Sequence, residues 1–388
     1  MTLKTAERTQ INGEKIIKIA SSFTHVVQGT PVYALLDELY EPVRNAIAVT
    51  DADGVVQGTI IPNDLVEILG KPFGRDLLKR QFVEDIMRPA FTFRYDDYIQ
   101  DVRERLAGDF ETGADGYYVL VDADGIFRGH VSSRDILVHT MNDHARELET
   151  GATIQSRLVP PCLDIQGKRL SITCSSVMAQ GVGGDYYYVR EYRPGKWFFC
   201  LCDISGKGIS AAIITAVLAG FMYNADFSQP IEDTVIRLNR IMLDTFRLKK
   251  YLTGIFMKFD EESGELTWCD MGHSFFFVIE GSSVQQLSEQ ADNVPVGLIE
   301  DPFPVAKTLR VMPGTIFLLV SDGIIEQENR QGESFDINEI GIITDECARK
   351  ANDPISAKVR ILERFFDFKR DMPQRDDISM LLFNYRES

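Results

Sequence analysis

The sequence predicts an α+β chain. Its N-terminal region is a doubled strand–hairpin–helix unit, a connecting helix follows, and a larger domain sets helices on antiparallel strands. Three observations predict this. Turn and cap residues recur at one offset of 71 before residue 140. A charged, sparsely apolar stretch runs from about Thr140 to Leu158 and stops at Pro160-Pro161. From Cys162 onward, short apolar runs of strand length alternate with amphipathic helical stripes. The expected bounds are 1–139, 140–161 and 162–388.

The repeat sets Asn45-Ala46-Ile47-Ala48-Val49-Thr50-Asp51-Ala52-Asp53-Gly54 beside Tyr117-Tyr118-Val119-Leu120-Val121-Asp122-Ala123-Asp124-Gly125. Asp51 matches Asp122, Gly54 matches Gly125, Gly58 matches Gly129 and Asp64 matches Asp135. Each unit reads as strand, Asp-Gly hairpin, strand, helix. Asp64 and Asp135 stand where the helix starts, and a carboxylate there favours the helix dipole. A helix also opens each unit: Val32, Leu35, Leu36 and Leu39 share a face in the first, and Ile99, Val102 and Leu106 in the second.

In the connecting helix Met141, Leu148, Ile154 and Leu158 are the sparse apolar positions, and Gly151 is its weak point. Farther on, Ile209 to Asn224 is apolar nearly all round, which predicts a buried helix. Ile231, Val235, Leu238, Met242 and Phe246 form the stripe of a second helix. A last helix starts near Asp353-Pro354, with a stripe of Ile355, Val359, Leu362 and Phe366.

At 388 residues the chain is too long for one ordinary core, and 44% hydrophobic with 26% charged residues is a soluble globular balance. A net charge of −17 argues against nucleic acid as a partner. No apolar run reaches the roughly 18 residues of a membrane span, and the opening residues lack a signal core. A cytoplasmic location without a membrane partner is the expectation. The six cysteines include no Cys-x-x-Cys and read as reduced thiols.

Acids stand at the ends of four strand-like runs. Trp197-Phe198-Phe199-Cys200-Leu201-Cys202 runs into Asp203, and Ile316-Phe317-Leu318-Leu319-Val320-Ser321 runs into Asp322-Gly323. Asp185 precedes Tyr186-Tyr187-Tyr188-Val189, and Asp376-Asp377 precede Ile378-Ser379-Met380-Leu381. Two strands leave acids and two arrive at them, so antiparallel pairing gathers the acids at one rim. Gathered carboxylates repel and call for cations; hard oxygen donors suit Mg²⁺ or Mn²⁺. Paired divalent ions neutralise phosphoryl oxygens and activate water, so phosphoester hydrolysis needs neither a cysteine nor a histidine nucleophile. Lys207 reads either as a phosphate-steering cation or as a surface lysine, and His273 as a proton donor or a structural turn residue.

Two resemblances follow from these residues. The N-terminal double unit resembles a tandem pair of CBS domains (Bateman-type module), best at Val83-Glu84-Asp85-Ile86-Met87 and Gly129-His130-Val131-Ser132-Ser133-Arg134-Asp135. That resemblance implies an adenine nucleotide held by Ser132 and Asp135; in the first unit Ile61 replaces the hydroxyl residue and Asp64 is left to hold a ribose. A dimerisation platform is the other reading of the pair. The C-terminal set, Gly183-Gly184-Asp185, Asp203-Ile204-Ser205-Gly206-Lys207-Gly208, Ser321-Asp322-Gly323 and Arg375-Asp376-Asp377-Ile378-Ser379, resembles the PPM-type serine/threonine phosphatases of the SpoIIE-like branch. Gln155 and Pro160-Pro161 resemble that family's opening segment.

The second resemblance implies an αββα sandwich with two Mn²⁺ or Mg²⁺ ions at one end. Asp203 bridges them, the Ile204 carbonyl and Asp185 ligate one, and Asp322 and Asp376 complete the other. Asp377 stays beside Asp376 as a second possible ligand, because strand alternation sends the two to opposite faces. The implied catalytic acids are Asp203, Asp322 and Asp376. The implied activity is hydrolysis of phosphoserine or phosphothreonine in a protein of the anti-sigma-factor-antagonist type, by a homodimer regulated through adenine nucleotide. The alternative is a catalytically weak nucleotide-sensing scaffold in a partner-switching pathway. Tyr186-Tyr187 after Gly183-Gly184-Asp185 argues against a cyclic-dinucleotide synthase, whose signature continues Glu-Phe.

Overall fold

The computed structural model of the protein describes residues 3–7, 12–38, 46–107, 116–280, 283–288, 293–351 and 354–386. Leu39, Asn45 and Asp353 of the sequence reading lie outside them. The chain divides into two compact units, Met1–Arg146 and Glu147–Ser388.

The first unit contains β1 (Lys4–Thr5), a 3-10 turn (Ile16–Ile19), β2 (Thr24–Val27), α1 (Val32–Glu38), β3 (Ile47–Thr50) and β4 (Val56–Ile60). Then come α2 (Pro62–Gly70), α3 (Gly74–Leu78), α4 (Val83–Ile86), β5 (Thr92–Arg94), α5 (Ile99–Arg105), β6 (Tyr117–Val121) and β7 (Phe127–Ser132). Its sheets run β1-β2-β3-β4 and β5-β6-β7. The repeat holds at the level of register: Val49 pairs with Gly58 as Leu120 pairs with Gly129, and each hairpin carries its irregularity one residue later. Asp51 Oδ1 accepts the Asp53 and Val55 N–H groups at 3.0 and 2.9 Å, and Asp122 Oδ1 those of Asp124 and Ile126, both at 3.0 Å. Gly54 and Gly125 close the turns at φ of 90° and 78°, which a side chain would disfavour. Ile99, Val102 and Leu106 are buried as the stripe predicts, and so are Val32 and Leu35.

The connecting helix is longer than its composition suggests. Instead of starting near Thr140, α6 runs unbroken over Ser133–Leu158, with Asp135 in its first turn and Gly151 inside it. The helix that closes the second repeat and the polar stretch are one element, because no residue between them breaks the backbone ladder.

The second unit continues with β8 (Cys162–Gln166), β9 (Leu170–Val177), β10 (Tyr186–Arg193), β11 (Lys196–Ile204), α7 (Ile209–Asn224), α8 (Ile231–Phe246), β12 (Leu252–Asp260) and β13 (Glu265–Met271). It ends with β14 (Phe276–Glu280), β15 (Ser283–Gln286), β16 (Lys307–Arg310), β17 (Ile316–Val320), α9 (Asp322–Ile325), α10 (Ile337–Ala351), α11 (Pro354–Lys369) and β18 (Ile378–Tyr385). A five-stranded sheet has the order β10-β11-β12-β13-β16 and a six-stranded sheet the order β15-β14-β17-β18-β9-β8; every pairing in both is antiparallel.

Alternation along the strands builds four layers. Phe317, Leu319, Leu381 and Phe383 face the five-stranded sheet, where Phe199 meets Phe383 at 4.9 Å between ring centres. The intervening residues Ile316, Leu318, Val320, Met380 and Leu382 face the other way and pack with Ile340 of α10 and with Ile361 and Phe365 of α11. On the far side α7 and α8 cover the five-stranded sheet through Ile214, Leu218, Val235 and Leu238. The whole is a mixed α+β fold with a four-layer C-terminal sandwich.

Two helices differ from their sequence reading. The α7 helix is apolar all round but not buried all round: Ile209, Ile213 and Tyr223 are exposed, since a helix laid on one sheet buries one face. In α11 the buried face is Ala357, Lys358, Ile361 and Phe365, whereas Val359 and Phe366 are exposed. This face is rotated from the predicted stripe because Lys358 turns inward to reach Asp164 and Cys162.

Candidate metal centre

The topology brings the acids together as antiparallel pairing requires. Tyr186 of β10 pairs with Cys202 of β11, so Asp185 and Asp203 stand at the same end of the five-stranded sheet. In the six-stranded sheet Val320 pairs with Met380 and the Ser321 N–H donates to the Ser379 carbonyl. Asp322, Asp376 and Asp377 therefore collect at the end of β17 and β18. Asp377 joins the two sheets at this rim: its Oδ1 accepts the Ala179 N–H at 2.8 Å, and its Oδ2 those of Gly184 at 2.6 Å and Asp185 at 3.4 Å. That approach needs Gly183, where a Cβ would lie 1.9 Å from Asp377 Oδ2.

The carboxylates feel one another. Burial pushes Asp203 up to about 7, with Asp322, Asp376 and Asp377 adding to the rise and Lys207 opposing it. Asp185 is held well above the ordinary carboxylate range by burial and then by Asp203 and Asp377. Asp322 is raised by burial, Asp376 and Glu326. Asp185 Oδ2 is fully buried and has no hydrogen-bond partner among the described residues, an expensive arrangement unless something else satisfies it. The Ile204 carbonyl oxygen lies 2.8 Å from where a Cβ on Gly184 would stand, so this backbone oxygen closes on the same loop. The donors are all oxygen and the charge is negative, which fits hard divalent ions. Among the described residues no three rim carboxylates converge within 4.8 Å; the one set that does is Glu14, His139 and Asp143, in the first unit.

Neighbouring polar groups have settled roles. Lys207 Nζ pairs with Asp376 Oδ2 at 2.6 Å and donates to the Arg375 carbonyl at 2.7 Å, so it is neither a free surface lysine nor remote from the acids. His273 is buried, with Nε2 2.9 Å from the Val320 carbonyl and Nδ1 3.3 Å from Thr253 Oγ1, which is a structural position. Gln155 is a rim contact that the sequence did not single out as such. Its Nε2 donates to the Gly183 carbonyl at 2.7 Å and its Oε1 accepts the Gly183 N–H at 3.0 Å, fixing the loop before Asp185. The sequence marked it only as part of the family-like opening segment, because one buried glutamine in a polar helix carries no periodic signal of a rim contact.

In the first unit, Asp135 Oδ2 accepts from the Ser132 N–H and hydroxyl at 2.8 and 2.7 Å and from the Ser21 hydroxyl at 2.7 Å. Asp64 pairs with Arg88 at 2.6 Å. Both acids hold local structure at a helix start.

The raised Asp203 has a consequence for stability. A carboxyl whose folded value lies above its unfolded value keeps a proton that the unfolded chain has released, so stability falls as pH climbs from about 4 through about 7. Chelator-treated protein is expected to melt lower at about pH 8 than at about pH 5.5, and Mn²⁺ is expected to remove most of the difference. Scanning calorimetry checks this; equal melting at both pH values without metal would contradict it.

This sandwich, with helices on both outer faces and acids at one rim, has the fold of the PP2C-type phosphatases. The SiaA-PP2C domain of Pseudomonas aeruginosa superposes with a TM-score of 0.53 at 19% identity, covering 63% of this chain and 98% of that one. The chain belongs to the SpoIIE family: the family model described as Stage II sporulation protein E matches residues 193–386, half of the chain. A CBS domain model matches residues 83–141, the second repeat. Phosphoserine phosphatase RsbP of Bacillus subtilis (strain 168) is 26% identical over 188 residues, 47% of this chain. The chain matches 45% of that relative's length. Among the described residues no helix is long and apolar enough to cross a membrane.

Proposed function

We propose that the protein is a metal-dependent phosphatase acting on phosphoserine or phosphothreonine in a protein. The observation that carries this is the rim itself: acids from two sheets brought together, with a buried Asp185 oxygen left without a partner among the described residues. Asp185, Asp203 and the Ile204 carbonyl would hold one Mn²⁺ or Mg²⁺ ion, and Asp203, Asp322 and Asp376 the other. Bound ions supply Lewis acidity toward a phosphoryl group and an activated water near neutral pH. The chain's own residues orient those ions and screen their charge. Asp377 is reassigned from ligand to clamp, because its oxygens already serve three backbone N–H groups. Lys207, freed from Asp376 when a cation replaces it, would steer the phosphate.

The similarity to RsbP, a phosphoserine phosphatase, supports a phosphoserine substrate; that this is a phosphoprotein of the anti-sigma-factor-antagonist type rests on the resemblance of the sequence motifs. The CBS domain match at residues 83–141 supports a regulatory role for the second repeat; adenine nucleotide as its ligand, with Ser132 and Asp135 as contacts and Asp64 in the first repeat, rests on the resemblance of the sequence motifs. The division into a regulatory region 1–139, a connecting segment 140–161 and a catalytic region 162–388, acting as a homodimer, completes the reading.

The test is Mn²⁺-dependent release of phosphate from a chromogenic aryl phosphate and from a phosphoserine protein, with and without AMP or ATP. Turnover that needs the metal is expected. A change of rate with nucleotide, lost in Asp135→Ala, is expected of the regulatory part. Metal-independent turnover, or none with any divalent ion, would contradict the catalytic reading; a nucleotide response equal in Asp135→Ala would contradict only the regulatory one.

A further inference from the structure

Of the six cysteines five are buried, and Cys162 is exposed. It opens β8, the edge strand of the six-stranded sheet. Its sulfur lies 2.7 Å from Lys358 Nζ of α11. The same ammonium lies 2.6 Å from Asp164 Oδ1, and its side chain is 3% exposed. Asp164 also accepts from the Thr173 hydroxyl. A lysine buried on a sheet, aimed at a sulfur and braced by a carboxylate, is a nucleophile pair in fixed geometry.

The separation decides what the pair can do. Sulfur is larger than oxygen, so a hydrogen bond to it is longer than the roughly 2.9 Å of an N–H···O bond. A nitrogen–sulfur distance of 2.7 Å is shorter than that and much longer than a direct S–N bond. It is the spacing that one oxygen atom bonded to both would impose.

We infer that Cys162 and Lys358 form an oxidation site, joined under peroxide by a single oxygen as an N–O–S bridge. The thiol–amine pair has the same atoms as the thiolate–ammonium pair. Two molecules of hydrogen peroxide supply the bridging oxygen and take up four electrons. The S–H bond and one N–H bond are lost, S–O and N–O bonds form, and three waters leave. Such oxidation begins at the sulfur, which here is exposed to peroxide. Two equivalents of a dithiol, each oxidised to its disulfide, return the four electrons, and the bridging oxygen leaves as water. The link would tie the edge strand to a helix 196 residues away in sequence, restricting the unfolded chain as a long-loop cross-link does. This is independent of the phosphatase reading.

Mass spectrometry of the intact chain, before and after hydrogen peroxide, tests it. The wild-type chain is expected to gain about 14 Da, one oxygen less two hydrogens, and to lose the gain with dithiothreitol. Proteolysis of the oxidised chain is expected to give one fragment joining the Cys162 and Lys358 peptides. Cys162→Ser and Lys358→Arg, the latter keeping the charge beside Asp164, are expected to show neither. Gains of about 16 or 32 Da at Cys162 without a joined fragment, or the same 14 Da gain in either variant, would overturn the inference. The wild-type fragment map decides the matter even if a variant fails to fold.

Discussion

Asp203→Asn is expected to lower Mn²⁺-dependent kcat/KM by about a thousandfold or more, ~4 kcal/mol of transition-state stabilisation. Asp203 is the penultimate residue of β11, at the rim where the acids gather, and three of its neighbours are carboxylates that raise it. The asparagine keeps the shape and removes the charge that a shared cation needs. The same substitution removes a repulsion from the metal-free fold. The variant is therefore expected to melt no lower than the parent without metal and to gain less from Mn²⁺. Loss of turnover together with collapse of the fold would mean that Asp203 is structural; unchanged turnover would remove it from the chemistry.

Asp377→Ala is expected to destabilise the fold by about 3 kcal/mol, since buried N–H groups left unpaired cost ~1–3 kcal/mol each. The donors of Ala179 and Gly184 would lose their acceptor, with the longer contact to Asp185. Asp376 stands in contrast. Its carboxylate is half-exposed and meets Lys207, so Asp376→Asn is expected to change stability by less than about 1 kcal/mol while lowering metal-dependent activity. Urea unfolding of both variants separates the roles of these adjacent acids. Equal stability losses would contradict the division.

Much of this was legible because particular residues have few alternatives. Hairpins with Asp51-Ala52-Asp53-Gly54 and Asp122-Ala123-Asp124-Gly125 repeat because the carboxylate must accept the same two N–H groups and the glycine must take a positive φ. β17 and β18 were legible because both faces are buried, leaving continuous apolar runs that end at acids. Other features depended on what lies across a gap. Alternation sent Asp376 and Asp377 to opposite sides, but the loop at 179–185 determines which of them is clamped. Lys358 looks like a surface residue of its helix until Asp164 and Cys162 arrive from β8. The uniform hydrophobicity of α7 gave no phase, so its exposed face of Ile209, Ile213 and Tyr223 was hidden.

Whether the rim acids form a cradle for divalent ions is tested most directly by calorimetric titration of Mn²⁺ into chelator-stripped protein, in parent and Asp203→Asn. Saturable binding of two ions per chain in the parent, with at least one lost in the variant, is the predicted result. No saturable binding to the parent, or the same isotherm in both, would contradict it.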